Sequence, residues 1–374
     1  VSAIDVRHAT HDASHANQLE PAGLLQAFRR HPPDGFVAQD MAADTPGFVA
    51  PFDLLTTAEP ALKARIARLP GAGRWRGWLR IRTAFVGTTV SEYVLGPPAG
   101  SVTAQAWVRA VLAGPARAQR LLVIKDIPQD SPLLDADART QATAVVDACR
   151  AAGMVIVEGQ ALAYVPIDFA SIDDYLARLS SSRRKNLRRK LRSREALDVR
   201  EVPTGSTQFD DPATIDRYHA LYDAVYAQSE VHFDRLSRDF FADVLQDGTS
   251  GGVVFEYHHA GTLIGFNLCF VHGGNLVDKV IGFAYPQARE HNLYFVSWMV
   301  NLDYARTHGC RFYVAGWTDP DVKAALGARF TFTRHAVLPR NRLLRSLARR
   351  FASHFESDRR WRESRESART DRDA

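Results

Sequence analysis

The chain has 374 residues, 46% of them apolar and 24% charged, with a formal net charge of +5. That length fits about two domains with ample core, and no run approaches the roughly 20 apolar residues of a membrane span. Three cysteines, Cys149, Cys269 and Cys310, are too few and too widely spaced for a disulfide framework or a zinc site, and read as small buried residues.

The opening VSAIDVRHATHDASHANQLEP has no basic start followed by an apolar core, so no secretion signal is read and a cytoplasmic location follows. The positive charge is concentrated. Residues 183–194 carry eight basic side chains and no acid, and residues 340–374 carry eleven Arg against six acids, so the rest of the chain is net acidic. A dedicated nucleic-acid binder spreads Lys and Arg over a face and interleaves aromatics. The mid-chain run SSSRRKNLRRKLRSRE contains no aromatic residue.

Residues 1–45 read as irregular, with HPPDGFVAQDMAADTPG as Pro/Gly/Asp punctuation. Strands are expected at 48–57, 77–88, 119–128 and 154–167, and helices at 58–69, 103–114 and 132–152. Strands alternating with helices make this an α/β domain. The stretch SIDDYLARLSSSRRKNLRRKLRSREAL reads as an amphipathic helix capped by Ser171, with Asp173 and Asp174 in its first turn. Its leucines bury and its arginines face outward. A strand at 198–203 and helices at 212–228 and 237–248 follow. Three strands (252–257, 262–271, 276–285) are then joined by the turns HHAG and HGGN, whose Gly and Asn suit hairpins. A helix from about 290 to 307, a strand at 310–316, a short helix near DPDVKAAL and a strand at 329–338 complete the body. In the tail, Leu343, Leu344, Leu347, Phe351 and Phe355 share one face, ringed by arginines. That pattern fits an anionic membrane surface, a partner, or packing back on the body. The composition after Ser357 is that of a disordered segment.

The second-half order of helix, helix, three-stranded meander, helix, strand, helix, strand resembles the GNAT acyltransferase fold. The stretches DDYLARLSSSRRKNLRRKLR, KVIGFAYPQAREHNLYFVSWMVNLDYARTHGCRFYVAG and DPDVKAALGARF resemble the CelD/BcsL type of that fold, related to FemAB-type aminoacyltransferases. The resemblance covers about residues 170–340. It implies two tandem GNAT-like domains of mixed α+β sheet, the first degenerate. The expected boundaries are an arm at 1–44, a degenerate domain at 45–167, the acyltransferase domain at 168–340 and the tail at 341–374.

The resemblance also implies a coenzyme A pyrophosphate loop at AREHNLY. There Arg289, His291, Asn292 and Leu293 are the donor-binding candidates, although the loop lacks the family's glycines. A helix N-terminus offers unpaired amides and a positive dipole end to phosphate, and Arg289 adds a charge-assisted contact. Transfer requires orienting an amine and a thioester, removing a proton and polarising a carbonyl. Glu256 is a candidate base or a solvated strand end. Lys279 either snorkels to a strand edge or contacts substrate in the cleft. Tyr285 packs or protonates the leaving thiolate. Lys323 matches the family's late lysine or is an exposed helix residue, with Asp321 as a weaker alternative for the same cleft. His258 and His259 fall in a hairpin turn and read as solvent-exposed.

No metal-ligand spacing, Gly-x-Ser-x-Gly elbow or Walker A motif occurs. The expectation is a GNAT-type N-acyltransferase using acyl-CoA or acetyl-CoA, without a metal, on a small-molecule, glycan or amino-acid-derived amine. Alternatives are an aminoacyl-tRNA-dependent transferase and a non-catalytic scaffold of a polysaccharide or envelope assembly. An acyl carrier protein or tRNA would contact residues 183–194, and a membrane surface residues 340–356.

Overall fold

The computed structural model of the chain describes residues 15–54, 65, 68, 76–98, 100–229 and 232–351. The helix expected at 58–69 lies almost wholly outside the described residues, as does everything after 351. The fold is mixed α/β. The chain divides into two compact units. One holds Leu19–Asp34 and Leu162–Phe330, and the other holds Gly35–Ala161, the chain from Thr331 on and the few residues before Leu19. Each has its own buried core.

From residue 22 on, the N-terminal stretch is not irregular. It forms α1 (Ala22–Arg30) and β1 (Val37–Ala42). Helix α1 was hidden because its buried stripe is only Leu24, Leu25, Ala27 and Phe28, and no side chain caps it. In the unit built on residues 35–161, β1 pairs with β2 (Thr45–Asp53), β2 with β3 (Arg80–Val86), and β3 runs parallel to β4 (Leu121–Gln129). Helix α2 (Ala104–Ala113) is the crossover, and α3 (Ala136–Ala151) leads into β5 (Val155–Pro166). Strand β11 (Arg329–Pro339) comes from the far end of the sequence, yet it pairs antiparallel with β4. Helix α11 (Arg342–Phe351) follows it, with Leu343 80% and Leu344 56% exposed.

The other unit begins with the last residues of β5. Helices α4 (Ile172–Ala177) and α5 (Ser181–Leu191) replace the single helix expected there. The run Ser180–Ser182 explains the break, since serine favours caps over helix interiors. Arg184 donates to Ala177 O at 3.2 Å, satisfying a carbonyl at the end of α4. Then come β6 (Asp198–Pro203), α6 (Pro212–Tyr226), α7 (Arg238–Gln246), β7 (Gly252–His259), β8 (Thr262–His272) and β9 (Asn275–Phe283). Helices α8 (Gln287–Glu290) and α9 (Leu293–Thr307), strand β10 (Phe312–Gly316) and α10 (Pro320–Ala325) complete it. Strands β6 to β9 form an antiparallel meander, β9 and β10 are parallel, and Ala163–Pro166 of β5 pair with β10.

Helix α9 is apolar on most sides and lies in the core against β7, β9 and β10. Its first residue, Leu293, seats directly on β8. A Cβ at Gly265 would lie 2.8 Å from Leu293 Cδ1, so only glycine fits there. No described helix is long and apolar enough to cross a membrane.

A buried ion pair fixes the N-terminal segment to the meander. Lys279 Nζ meets Glu20 Oε1 at 3.3 Å, with side chains 8% and 0% exposed. Removing one partner of such a pair leaves an uncompensated buried charge. Glu20→Ala is therefore expected to cost about 3 kcal/mol, read as a lower urea midpoint. The double change Glu20→Leu with Lys279→Met should recover most of that loss.

Candidate active site

Strands β9 and β10 are paired over only three positions, Asn275–Phe312, Leu276–Tyr313 and Val277–Val314. Beyond Val277 they part. In an antiparallel ladder, alternate residues turn their N–H and C=O to opposite sides. Ala284 N donates to Ile264 O at 2.8 Å, so Gly282 and Val280 face β8 in the same way. Ile281 and Phe283 therefore point their N–H groups away from β8, into the gap where β10 has diverged.

Asp278 stands where the strands part. Its Oδ1 accepts from Asn267 Nδ2 at 2.6 Å and its Oδ2 from the Tyr313 hydroxyl at 2.7 Å. Asn301 of α9 donates to Asn267 Oδ1 and, at 3.0 Å, to the Tyr313 oxygen. Asn267 and Asn301 are fully buried, and Asp278 keeps partial exposure. Burial raises the Asp278 carboxyl above the ordinary aspartate value, while Tyr313, Asn267, Lys323 and Lys279 pull it part of the way back. Lys323 is 4% exposed and donates to Ala315 O at 2.6 Å, on the opposite branch of the fork. It is a buried residue and not an exposed one. Its ammonium faces the fork and acts on Asp278.

Glu256 lies elsewhere and is not a solvated strand end. Its neighbours Phe255 and Tyr257 pack in the core with α9, so Glu256 projects from the other face of β7. Its carboxylate accepts from the Tyr218 hydroxyl, from Gln208 Nε2 at 2.8 Å and from His258 Nε2 at 2.8 Å. Burial works to raise this carboxyl, but the three bonds outweigh it, and it sits below the ordinary value. A carboxylate held below its ordinary value is a weak base, and Glu256 serves as an anchor of the fold. His258 is part of that anchor, and His259 stacks on His291 at 4.1 Å, so neither is the free turn histidine expected. Lys279 neither snorkels nor lines the fork, being held by Glu20.

The donor-loop candidates cluster at the start of α9. Asn292 precedes the helix in the left-handed conformation at φ 52°, and its Nδ2 donates to Ser193 Oγ at 3.1 Å. Asparagine tolerates this region, so it supplies the turn that a family glycine would. Phe295 N and Val296 N donate to Asn292 O, while Leu293 and Tyr294, as the first two helical residues, have no intrahelical acceptor. The Leu293 side chain is core and only its amide can serve a ligand. Arg289 is exposed, lies over the Tyr285 ring at 5.1 Å and donates to Gln228 Oε1 at 2.5 Å. Tyr285 is half-buried. Burial raises its pKa, Arg289 lowers it and Asp319 raises it. Helix α5 packs beside the same turn, with Lys190 Nζ 3.3 Å from the Phe295 ring centroid. Arg183, Lys185 and Arg192 are exposed on and just after α5 and make no ion pair or hydrogen bond among the described residues.

Residues 181–324 match the acetyltransferase (GNAT) domain family. The stretch is a GNAT domain, and the protein is a transferase of that type. No protein of curated function matches the chain in sequence. Solved structures with the same fold include the C-terminal domain of a protein assigned as a lysylphosphatidylglycerol synthetase from Agrobacterium fabrum, at TM-score 0.54 and 14% identity, covering 92% of this chain and 94% of that one. FemX aligns at TM-score 0.52 and 12% identity over 90% and 96% of the two chains. L-PGS from Bacillus licheniformis aligns at 0.51 and 9% identity over 90% and 98%. These likenesses establish the fold.

Asn267, Asp278, Asn301, Tyr313 and Tyr294 of the GNAT domain were not singled out from sequence. Their signal was present as lone polar residues inside apolar runs, Asn267 in TLIGFNLCFV and Asp278 beside Lys279 in LVDKVIGF. Because the folded pKa of Asp278 is raised, it binds more protons folded than unfolded in the window above the ordinary aspartate value. Its contribution to stability is therefore present at low pH and lost as pH rises through that window. Asp278→Asn should flatten that decline and leave the protein at least as stable at pH 7, read from urea midpoints across a pH series.

Proposed function

We propose that the protein transfers an acyl group from a coenzyme A thioester to an amine, with the β9–β10 fork as the reaction centre. One observation carries the reading. The fork presents backbone N–H groups from Ile281 and Phe283 beside a carboxylate of raised pKa, at the strand end where α9 begins.

The chemistry follows from those groups. The amine attacks the carbonyl carbon, and Asp278 takes the amine proton. A base works best when its pKa lies near the operating pH, and burial moves Asp278 in that direction. One of the outward N–H groups of β9, that of Ile281 or of Phe283, meets the negative charge that develops on the acyl oxygen. Lys323 and the Asn267–Tyr313 pair hold Asp278 in place. The amides of Leu293 and Tyr294, the positive end of α9 and the Arg289 guanidinium are suited to the donor's phosphates.

A second reading, with an aminoacyl-tRNA as donor, is favoured by Arg183, Lys185 and Arg192. They extend positive charge from the first turn of α9 over more surface than a dinucleotide needs. The chemistry at the fork is unchanged, since an ester presents the same carbonyl.

Thermal unfolding with acetyl-CoA, longer acyl-CoAs and free coenzyme A separates the two readings. Ligand at about 100 times its dissociation constant adds about 2.7 kcal/mol of stability. A rise in midpoint that Arg289→Ala with Asn292→Ala diminishes is the expected result. No rise with any of them removes the thioester reading. The tRNA reading then predicts binding that Arg183→Glu with Lys185→Glu abolishes. With the right donor, Asp278→Asn should lower kcat by about 10²–10⁴ while donor binding persists.

A further inference from the structure

Tyr294 is the second residue of α9, and its hydroxyl oxygen is buried without a hydrogen-bond partner among the described residues. A buried polar group left in that state costs about 1–3 kcal/mol. Native structures retain few of them, and each calls for a cause. Here the cause is positional. Strand β9 runs past the point where β10 diverges and ends at Phe283, and the chain then turns into α9, which packs back on both strands. The first turn of α9 therefore lies at the open end of the fork. The side chain belongs to the hydrophobic layer over the meander, with its ring edge-on to Phe295 at 5.8 Å. Its hydroxyl senses both Asp278 on β9 and Asp319, which precedes α10.

We infer that the Tyr294 hydroxyl is the side-chain donor to the acyl oxygen during transfer, making its hydrogen bond only when an acyl group occupies the fork. The inference rests on the acyl-transfer reading but not on the donor's identity, because thioester and ester offer the same oxygen. As the amine nitrogen bonds to the carbonyl carbon, the carbonyl π pair moves onto oxygen. There Tyr294 joins the backbone N–H of Ile281 or Phe283. The pair then returns, the bond to sulfur (or to ester oxygen) breaks, and its electrons leave with that atom. The amine proton passes to Asp278 and from there to the leaving atom. Tyr294 keeps its own proton throughout. Burial first, then Asp319 and Asp278, push its pKa up, so it remains a neutral phenol that donates without acting as an acid. Tyr285 has no such placement, with its half-buried ring under Arg289.

Tyr294→Phe tests this with three readouts. In the ligand-free protein, removal of an unpartnered hydroxyl should leave the unfolding midpoint unchanged or raise it. A lower midpoint would reveal a structural partner and overturn the inference. In binding, the wild type should prefer acetyl-CoA over the thioether S-ethyl-CoA, which lacks the oxygen, by roughly tenfold, the worth of one good hydrogen bond. The variant should keep only the part of that preference that the β9 backbone supplies, and a variant with the full wild-type preference refutes the role. In turnover, kcat should fall by about 10²–10³ and the donor KM should rise by no more than the roughly tenfold seen in binding, and an unchanged kcat also refutes it. A wild type that binds neither coenzyme A compound sinks the thioester reading alone. The same comparison then uses an aminoacyl-tRNA against its deacylated form, and the same two outcomes decide.

Discussion

A parallel strand pair that separates while still inside a protein creates a problem of unpaired backbone. Every buried N–H and C=O needs a partner, and after Val277 and Val314 the pair β9–β10 no longer supplies them. Much of the unit's polar interior answers that constraint. Lys323 is drawn into the core to take Ala315 O. Tyr313, Asn301 and Asn267 converge on Asp278, the first side chain past the parting. The N–H groups of Ile281 and Phe283 turn from β8 into the gap so opened, where the proposed transfer would use them.

The polar cluster is costly unless complete. In a low-dielectric interior a satisfied network rigidifies and an incomplete one destabilises. Asn301 lies on α9, Asn267 on β8, Asp278 on β9 and Tyr313 on β10, so one network ties four elements to a common geometry. The Glu20–Lys279 pair extends the same logic to the segment before α1. Catalytic groups must sit within a fraction of an ångström of their working positions, and here the supports come from five separate stretches of sequence.

That distribution explains what the sequence could and could not disclose. Periodicity located β7, β8, β9, α9 and the strand–helix alternation, because a period of 2 or 3.6 is a local property. Lys323 was reachable through its place in DPDVKAALG. Asp278 was not, because a single acid in an apolar strand has no meaning until the parting of β9 and β10 gives it one. Glu256 was misleading for the converse reason. It ends an apolar run and looked free, but Tyr218, Gln208 and His258 close over its carboxylate from residues 38, 48 and 2 positions away. Helix α1 was missed because it is short, has no capping side chain and lies beside Pro/Gly punctuation. The partnering of β11 with β4 carries no local signal at all, since any strand of suitable pattern could follow α10.

The unit built on residues 35–161 supplies an internal control. Its parallel pair β3–β4 also ends, at Val86 and Ile124, and Gly87 turns the chain there at φ 106°. In this unit the chain fills its own gap. Val94 N donates to Asp126 O at 2.9 Å and Lys125 Nζ to Thr88 O at 2.7 Å. Val90, Glu92, Tyr93, Val94 and Leu95 are all buried as a result. The same strand geometry thus has two outcomes. Where a loop satisfies the parted backbone, the polar groups are used up in holding the fold and nothing remains to meet a substrate. Where the loop instead turns into α8 and α9, the amides of β9 stay available, and the first turn of α9 brings Tyr294 to the same opening. The two units therefore differ in which atoms complete the backbone hydrogen bonds where a parallel pair parts, and the proposed chemistry uses the amides that β9 turns into its gap.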